Sequence, residues 1–257
     1  MRNMVRKVGY LTIDDAPSAD FRNKVKHLAE KEIPAIFFCR GDYLVKRSED
    51  VIFAIKKGFV IGNHSYNHAR FSEIPLKECF HQIKQTDEII DGIYQDAEVR
   101  RPSKLFRFPY GDKGSGLDAE KGWPDNKDKR LFMQGIQNYL KKLGYAQPIF
   151  ENISYKWFND AGLLRDFDVY WTYHSFDRAV AEYRSKGTKS PLGYYHLRTV
   201  IDRMDEDFPE ECRGLNFRGS SDIILVHDYP GIEDIFVPLI RAFLKKEIYF
   251  KLPIFSF

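Results

Sequence analysis

The chain alternates continuous apolar runs with amphipathic segments, and this alternation limits the folds that it can adopt. The apolar runs are KVGYLTI (7–13), PAIFFCR (34–40), FVIG (59–62), KLFRF (104–108), FDVYWTY (167–173) and DIILVH (222–227). Strands that are apolar along their whole length are buried on both faces, as in parallel sheets covered by helices. The pattern therefore predicts an α/β fold with a parallel sheet. A barrel and a doubly wound sheet would both satisfy it.

The segments between these runs have apolar residues at helical spacing. The predicted helices cover residues 20–33, 48–58, 74–94, 194–207 and 233–246. Ser48 is the expected N-cap of the second helix, because a serine side chain can accept a hydrogen bond from the first turn. Pro238 predicts a kink or a late start in the last helix.

Residues 112–160 interrupt this rhythm with a Gly-rich loop, a helix-like stretch and an aromatic segment. We interpret them as an insertion in a βα loop of one domain that spans residues 1–257. Aromatic residues could either stack on sugars or pack the insertion against the core. The residues concerned are Trp123, Phe132, Tyr139, Tyr145, Tyr155, Trp157 and Phe158.

Composition excludes several classes of function. Hydrophobic residues make up 43% of the 257 residues, which is enough for a sizeable core, and the net charge of +3 gives no electrostatic case for nucleic acid. The three cysteines are far apart, which argues against a disulfide framework. We expect no membrane span and a cytoplasmic location, with a leader removed from the chain as the alternative.

Polar residues follow the predicted strands at the ends where parallel α/β folds place their chemistry. They are Asp14, Asp15, His64, His68, Arg107, His174, Asp177 and His227. Asp14 and Asp15 are adjacent on a strand, so alternation predicts that their side chains face different ways. His64 and His68 are four residues apart, which would suit one metal ion if a helical turn began there. Such spacing also occurs by accident in surface loops.

Individual residues leave other readings open. Arg107 could be a surface arginine with a buried stem, or a guanidinium that holds a carboxylate ionised. His227 could be a core histidine or a general acid, and Asp177 a turn residue or the group that raises the pKa of His227.

Five short motifs in chain order resemble those of the polysaccharide deacetylases of the NodB homology type, carbohydrate esterase family 4. They are TIDDAPS (12–18), HSYNH (64–68), RFPYG (107–111), WTYHSFD (171–177) and LVH (225–227). The resemblance implies a distorted (β/α) barrel with an insertion after the third motif.

The resemblance also implies a role for each matched residue. Asp15, His64 and His68 would hold a divalent metal, Zn²⁺ first, with Co²⁺, Ni²⁺ or Mn²⁺ as alternatives. Asp14 would be the base that activates a water, oriented by Arg107. His227 would protonate the leaving amine and be tuned by Asp177. The Tyr110 backbone N–H would stabilise the oxyanion, and Leu225 would line the acetyl pocket.

The activity implied is a metal-dependent hydrolase that removes an N-linked acetyl group from an N-acetylated sugar or glycan by attack of a metal-activated water. One alternative is a hydrolase of a small non-sugar amide, and another is a non-catalytic glycan-binding relative. No nucleic-acid partner is expected, and the oligomeric state is left open.

Three positions depart from the family pattern. Ala16 stands where the family usually has Gly, which would be strained if that position needed a positive φ. Arg178 stands where many members carry Trp, and His174 where an acid is often found. We expect Arg178 to alter the packing around His227 or the shape of the acetyl pocket.

Overall fold

A parallel sheet forms the centre of the structure, a computed structural model that describes residues 6–116, 123–187 and 193–255. Its strands are β1 (Val8–Ala16), β2 (Ala35–Cys39), β3 (Val60–Asn63), β4 (Tyr173–His174), β5 (Asp222–His227) and β6 (Tyr249–Phe250). The order is β3-β2-β1-β5-β4, and β6 pairs with the start of β1. The pairings between these strands are all parallel, as the continuous apolar runs predicted.

Two irregular segments close this sheet into a distorted barrel. Backbone hydrogen bonds link Asn63 to Leu105 and to Arg107, at 2.8 and 3.0 Å. The Val169 N–H then donates to the Phe106 carbonyl at 2.8 Å, and the Thr172 N–H to the Ile223 carbonyl at 2.9 Å. The fold is therefore the distorted (β/α) barrel expected from the family motifs.

The predicted strands 104–108 and 167–173 were too regular. The first segment makes only isolated bridges, and the second is a strand only at Tyr173–His174. The carbonyls of Arg107, Val169 and Tyr170 instead accept hydrogen bonds from side chains, at 2.8, 2.9 and 3.4 Å. The side chains of His64 and Arg107 thus make the hydrogen bonds that a neighbouring strand would otherwise make.

Helices cover the outside of the barrel. They are α1 (Phe21–Glu30), α2 (Gly41–Leu44), α3 (Ser48–Lys56), α4 (Leu76–Asp96), α5 (Lys127–Lys142), α6 (Lys156–Asp160), α7 (Arg178–Lys186), α8 (Leu197–Asp202) and α9 (Glu233–Lys245). The sequence analysis did not predict α2, α6 and α7, which are short or poor in apolar periodicity. The predicted helix at 194–207 was too long, because α8 gives way to a short 3₁₀ segment after Asp202.

Two details of the helix ends differ from expectation. Ser48 is the first residue of α3 and caps nothing with its side chain, since Arg47 occupies the N-cap position. Pro238 lies inside α9, which begins at Glu233, so it does not delay the start of that helix. Among the described residues, no helix is both long and apolar enough to cross a membrane.

Strand side chains alternate between two apolar clusters. Leu11, Ile13 and Phe37 belong to the cluster that packs against the surrounding helices. Tyr10 and Phe38 belong to the other cluster, in the barrel interior, together with Leu225. Both clusters are buried, which explains why alternation is absent from the sequence of these strands. The barrel interior is a packed core that supports the site above it.

The insertion packs mainly through its aromatic residues. Tyr145, Tyr155 and Phe158 are buried, and Tyr139 stacks on Phe80 of α4 with ring centroids 4.2 Å apart. Packing against the core therefore accounts for most of them, while Trp123 is 38% exposed. The interpretation of residues 112–160 as an insertion within one domain stays a prediction, and residues 117–122 lie outside the described part.

We predict that Gly62→Ala destabilises the protein by about 1–3 kcal/mol through overpacking. A Cβ atom at Gly62 would lie 2.7 Å from the Phe38 ring and 3.3 Å from the Leu105 carbonyl oxygen. Gly92→Ala is the matched control, since nothing lies within 4 Å of its added Cβ and the residue is inside α4. Helix propensity should make that variant about 0.5–1 kcal/mol more stable. Urea unfolding measures both; equal stability of the two variants would contradict the packing argument.

Candidate active site

Asp14 and Asp15 end β1, and an irregularity in that strand brings both into one site. The register with β2 shifts between Ile13 and Ala16, and Asp15 has a left-handed φ of 63°. The Nε2 atom of His64 lies 3.6 Å from Asp14 Oδ2 and 3.9 Å from Asp15 Oδ1. Both acids therefore reach His64, because β1 is no longer regular where they lie, while Asp14 also contacts Arg107 and Asp15 lies 3.1 Å from His68.

This irregularity also explains Ala16. The positive φ falls on Asp15, and Ala16 does not share it. Ala16 is fully buried in the cluster between β1 and the helices. An added methyl group is therefore unstrained at this position, and the departure from Gly leaves the backbone of the site intact.

Arg107 lies below Asp14 and is fully buried. Its Nη1 donates to Asp14 Oδ1 at 2.9 Å and to the Thr12 hydroxyl at 2.7 Å. Its Nε donates to the Val169 carbonyl at 2.9 Å. The guanidinium carbon lies 4.4 Å from the centre of the Phe38 ring. These contacts fix one carboxylate oxygen of Asp14 and bury the guanidinium, so the surface-arginine reading of Arg107 is excluded.

His64 and His68 are held by a loop and not by a helical turn. Ser65 and His68 both have a positive φ, 62° and 63°, and the two imidazole rings are 5.0 Å apart. His64 Nδ1 lies 2.8 Å from the Arg107 carbonyl oxygen, which fixes the tautomer with its N–H at Nδ1. The Nε2 lone pair of His64 then faces the two carboxylates.

Asp15, His64 and His68 fit a divalent metal ion. One ligand atom from each lies within 4.8 Å of the others. Both carboxylate oxygens of Asp15 are buried without a hydrogen-bond partner in the described part of the chain, which is costly unless a cation binds them. Burial lowers the pKa of His64 and, more strongly, that of His68, so both rings are neutral and can coordinate. Two imidazoles and a carboxylate form a donor set of catalytic zinc sites.

His227 and Asp177 form a second polar pair beside this cluster. His227 Nδ1 lies 2.7 Å from Asp177 Oδ1, and the His227 backbone N–H donates to Asp177 Oδ2 at 2.8 Å. Burial opposes the charged imidazolium, but the Asp177 carboxylate, together with Asp15 and Asp14, raises the pKa of His227 on balance. Burial likewise acts to raise the pKa of Asp177, and His227 lowers it on balance. The His227 imidazole therefore stays protonated to a higher pH than an ordinary histidine.

Tyr110 and Leu225 border the site in different ways. Tyr110 has a φ of 59° in the turn Pro109–Gly111, and its ring is 4.5 Å from that of His68 and 44% exposed. Leu225 is buried in β5 and pairs with Thr12 of β1 and His174 of β4. The structure thus brings the nine residues chosen from the sequence to one end of the barrel.

The sequence analysis missed a buried ion pair under the site. Lys24 Nζ lies 2.5 Å from Asp228 Oδ1, and Asp228 also accepts from the Ser18 backbone and hydroxyl at 2.7 and 2.6 Å. The Asp228 backbone N–H donates to the Asp14 carbonyl at 2.8 Å. A lysine on the apolar face of α1 was the signal that could have revealed this pair, because buried lysines need a counter-charge.

The fold and the cluster define a class of protein: a parallel (β/α) barrel with an Asp-His-His group at the carboxyl ends of its strands. The family model described as polysaccharide deacetylase matches residues 2–121. The solved structure of a family 4 carbohydrate esterase from Streptomyces lividans superimposes with a TM-score of 0.59 at 17% identity, covering 96% of this chain and 92% of that one. Residues 2–121 thus match the polysaccharide deacetylase family, and the chain shares the fold of a family 4 carbohydrate esterase.

Two curated relatives give the level of similarity. A peptidoglycan-N-acetylglucosamine deacetylase of Bacillus cereus is 24% identical over 70% of this chain. A peptidoglycan-N-acetylmuramic acid deacetylase, PdaC of Bacillus subtilis, is 34% identical over 45% of it. The matches span 64% and 24% of those two proteins, so the chain spans less than two thirds of either relative.

We predict that Asp177→Asn lowers the pKa of His227. Asp177 acts on His227 both by its charge and by its hydrogen bond, so removing the charge leaves burial, which disfavours the imidazolium, opposed only by the weaker attraction of Asp15 and Asp14. Protonated His227 therefore stabilises the fold below its ordinary pKa, and this contribution is lost as pH rises through the raised one. NMR titration of labelled histidines, assigned with His227→Gln, measures the change. An unchanged pKa in Asp177→Asn would contradict the assigned cause.

Proposed function

We propose that the protein is a metal-dependent N-deacetylase of an N-acetylated sugar or glycan. The observation that supports this best is the arrangement of one proton acceptor, Asp14, and one proton donor, His227, around the Asp15, His64 and His68 cluster. Amide hydrolysis needs both, since water must lose a proton and the leaving nitrogen must gain one. The two relatives described above, both of them sugar deacetylases by name, agree with this reaction.

The metal we propose is Zn²⁺, held by Asp15, His64 and His68. When bound, it would acidify water and polarise the carbonyl of the acetamide. Co²⁺, Ni²⁺ and Mn²⁺ are the alternatives. Of the two adjacent acids, Asp15 is the one available to bind the metal, because its carboxylate oxygens have no hydrogen-bond donor in the described residues. One oxygen of Asp14 is already held by Arg107.

Asp14 is the proposed general base. Arg107 fixes Asp14 Oδ1, which leaves Oδ2 as the oxygen on the side of His64. That oxygen would take the proton from the attacking water. The Arg107 guanidinium is buried beside it and holds Asp14 in one orientation, with Oδ2 turned towards the proposed metal ligands.

His227 is the proposed general acid. The Asp177 carboxylate keeps its imidazole protonated to a higher pH, and orients it through Nδ1 so that Nε2 carries the transferable proton. After the tetrahedral intermediate forms, Nε2–H would protonate the sugar nitrogen as the C–N bond breaks. The products are then acetate and a free amine.

Two further groups complete the proposed site. The Tyr110 backbone N–H would donate to the oxyanion that develops from the acetyl carbonyl, since such donors act where charge appears. Tyr110 has a left-handed φ within the turn Pro109–Gly111, and this conformation sets the direction of its peptide group. Leu225, buried between Thr12 and His174, would provide an apolar wall for the acetyl methyl group.

We predict that Asp14→Asn and Asp15→Asn fail in different ways. Asp14→Asn should keep its metal and lose about 10²–10⁴-fold in kcat, the usual contribution of a general base. Asp15→Asn should bind Zn²⁺ at least about 100-fold more weakly, because even outer-sphere changes cost 10–100-fold. Metal titration with a chromophoric competitor and acetate release from N-acetylglucosamine oligomers measure the two effects.

Several outcomes would count against these assignments. Equal metal loss in both variants would contradict the division of roles. Acetate release from no sugar, with turnover of a formamide or cyclic ureide, would move the proposal to small amides. Turnover of neither by the zinc-loaded protein would leave a non-catalytic sugar-binding protein. The predicted cytoplasmic location stays a prediction.

A further inference from the structure

Arg178 brings a second positive charge to the proposed metal cluster. It is the first residue of α7 and directly follows Asp177. Its Nη1 lies 3.9 Å from Asp15 Oδ2, and its guanidinium carbon lies 5.3 and 5.0 Å from the ring centres of Tyr110 and Tyr229. The side chain is 23% exposed, so the charged group stands at the mouth of the site with access to solvent.

Arg178 differs from Arg107 in how its hydrogen-bonding capacity is used. Arg107 donates to a carboxylate, a hydroxyl and two carbonyls. The Nε of Arg178 lies 3.3 Å from Glu182 Oε1 one turn along α7, without hydrogen-bond geometry, and Glu182 is 44% exposed. An arginine guanidinium stays protonated in proteins. The ion pairs of Arg178 are longer than those of Arg107, 3.9 Å to Asp15 and 3.3 Å to Glu182, so its guanidinium is held less tightly.

The neighbouring arginines are engaged more firmly or lie farther out. Arg40 pairs with both carboxylate oxygens of Asp42, at 3.1 and 2.7 Å. Arg70 stacks on the outer side of Tyr110 at 4.0 Å and lies 3.9 Å from the exposed Glu73. Of these three arginines, Arg178 is therefore the one with an ion pair to a proposed metal ligand, Asp15, and its other acid is the half-exposed Glu182.

A cation on Asp15 would remove the attraction that Asp15 exerts on Arg178. The guanidinium would then face a cation and retain only Glu182 as a nearby acid. Two positive groups in a half-buried site are stabilised by an anion between or beside them. A guanidinium presents a planar set of N–H donors that matches the two oxygens of a carboxylate or phosphate.

We propose that Arg178 is a substrate-binding residue that selects an anionic oxygen group, carboxylate or phosphate, carried by the N-acetylated sugar near its acetamido group. The proposal rests on the proposed deacetylation and narrows its substrate class from N-acetylated sugars in general to acidic ones. A neutral aromatic side chain at position 178 could stack on a sugar but could not provide this selection.

Kinetics on matched sugars test the proposal. N-acetylmuramic acid and its methyl ester differ only in one carboxylate, and N-acetylglucosamine 1-phosphate and N-acetylglucosamine only in one phosphate; both anionic groups are borne by a carbon next to the one that carries the acetamido group. We expect the zinc-loaded protein to prefer the acid to its ester, or the phosphate to the neutral sugar, by about 10-fold or more in kcat/KM, mainly through KM. The two pairs distinguish a carboxylate from a phosphate ligand.

Variants then assign the preference to Arg178. In Arg178→Gln the ratio of kcat/KM between the charged and uncharged sugar should fall to about 1. Arg178→Lys should retain part of it, because a lysine keeps the charge but not the planar fork. Arg184→Gln is the control, since Arg184 lies on the same helix and pairs with Asp234 away from the site. That control should keep the full ratio.

Binding separates this proposal from the proposed function. Calorimetric titration of the four sugars into Asp14→Asn protein, with and without Zn²⁺, needs no turnover. If no sugar is deacetylated but the acid still binds more tightly than its ester through Arg178, the proposed function fails and this inference stands. Equal affinity and equal kcat/KM for charged and uncharged sugars would overturn it. A preference for the charged sugar that is unchanged in Arg178→Gln would also overturn it. So would a loss of Zn²⁺ from Arg178→Gln that is as large as its loss of sugar binding.

Discussion

The ion pair between Arg107 and Asp14 is the interaction on which the rest of the site depends. Arg107 is fully buried, and an isolated charge there would be prohibitively costly. Its side chain connects β1 to the irregular segment around Val169, and its carbonyl orients His64. One residue therefore fixes the proposed base, a proposed metal ligand and the closure of the barrel. Removing it would leave Asp14 buried without its partner, a loss that usually costs several kcal/mol.

Much of the fold could be predicted from the sequence because burial on both faces leaves a direct mark. β1, β2, β3 and β5 are continuous apolar runs, and α1, α4 and α9 have clear apolar faces. The segments at 104–108 and 167–173 carry the same mark, yet their carbonyls bond to Arg107 and His64 and not to a neighbouring strand. Hydropathy indicates which residues are buried, but it does not indicate which hydrogen-bond donor a buried carbonyl group contacts.

The site shows the same division. The motifs predicted that Asp14, Asp15, His64 and His68 share one site, but not how two neighbours on a strand both reach His64, which depends on the register shift of β1 after Ile13. The position of Lys24 on the apolar face of α1 indicates that it needs a counter-charge, but neither its partner Asp228 nor the contacts of Arg178 could be identified from the sequence. Both depend on distances across the barrel, between residues 204 positions apart in the first case. Local patterns contain no record of such contacts.

Three residues of the site, Asp15, His68 and Tyr110, have left-handed backbones with φ of 63°, 63° and 59°. None is a glycine, and each such conformation costs of order 1–2 kcal/mol for an ordinary L-residue. The site thus lowers the stability of its own fold by about 3–6 kcal/mol, a large share of what a domain of this kind possesses. Glycine at any of the three would relax the backbone. If activity were not under selection, substitutions by glycine at these positions would therefore accumulate, and the protein would become more stable and inactive. Strained residues that persist in a relative thus indicate a site that is still in use.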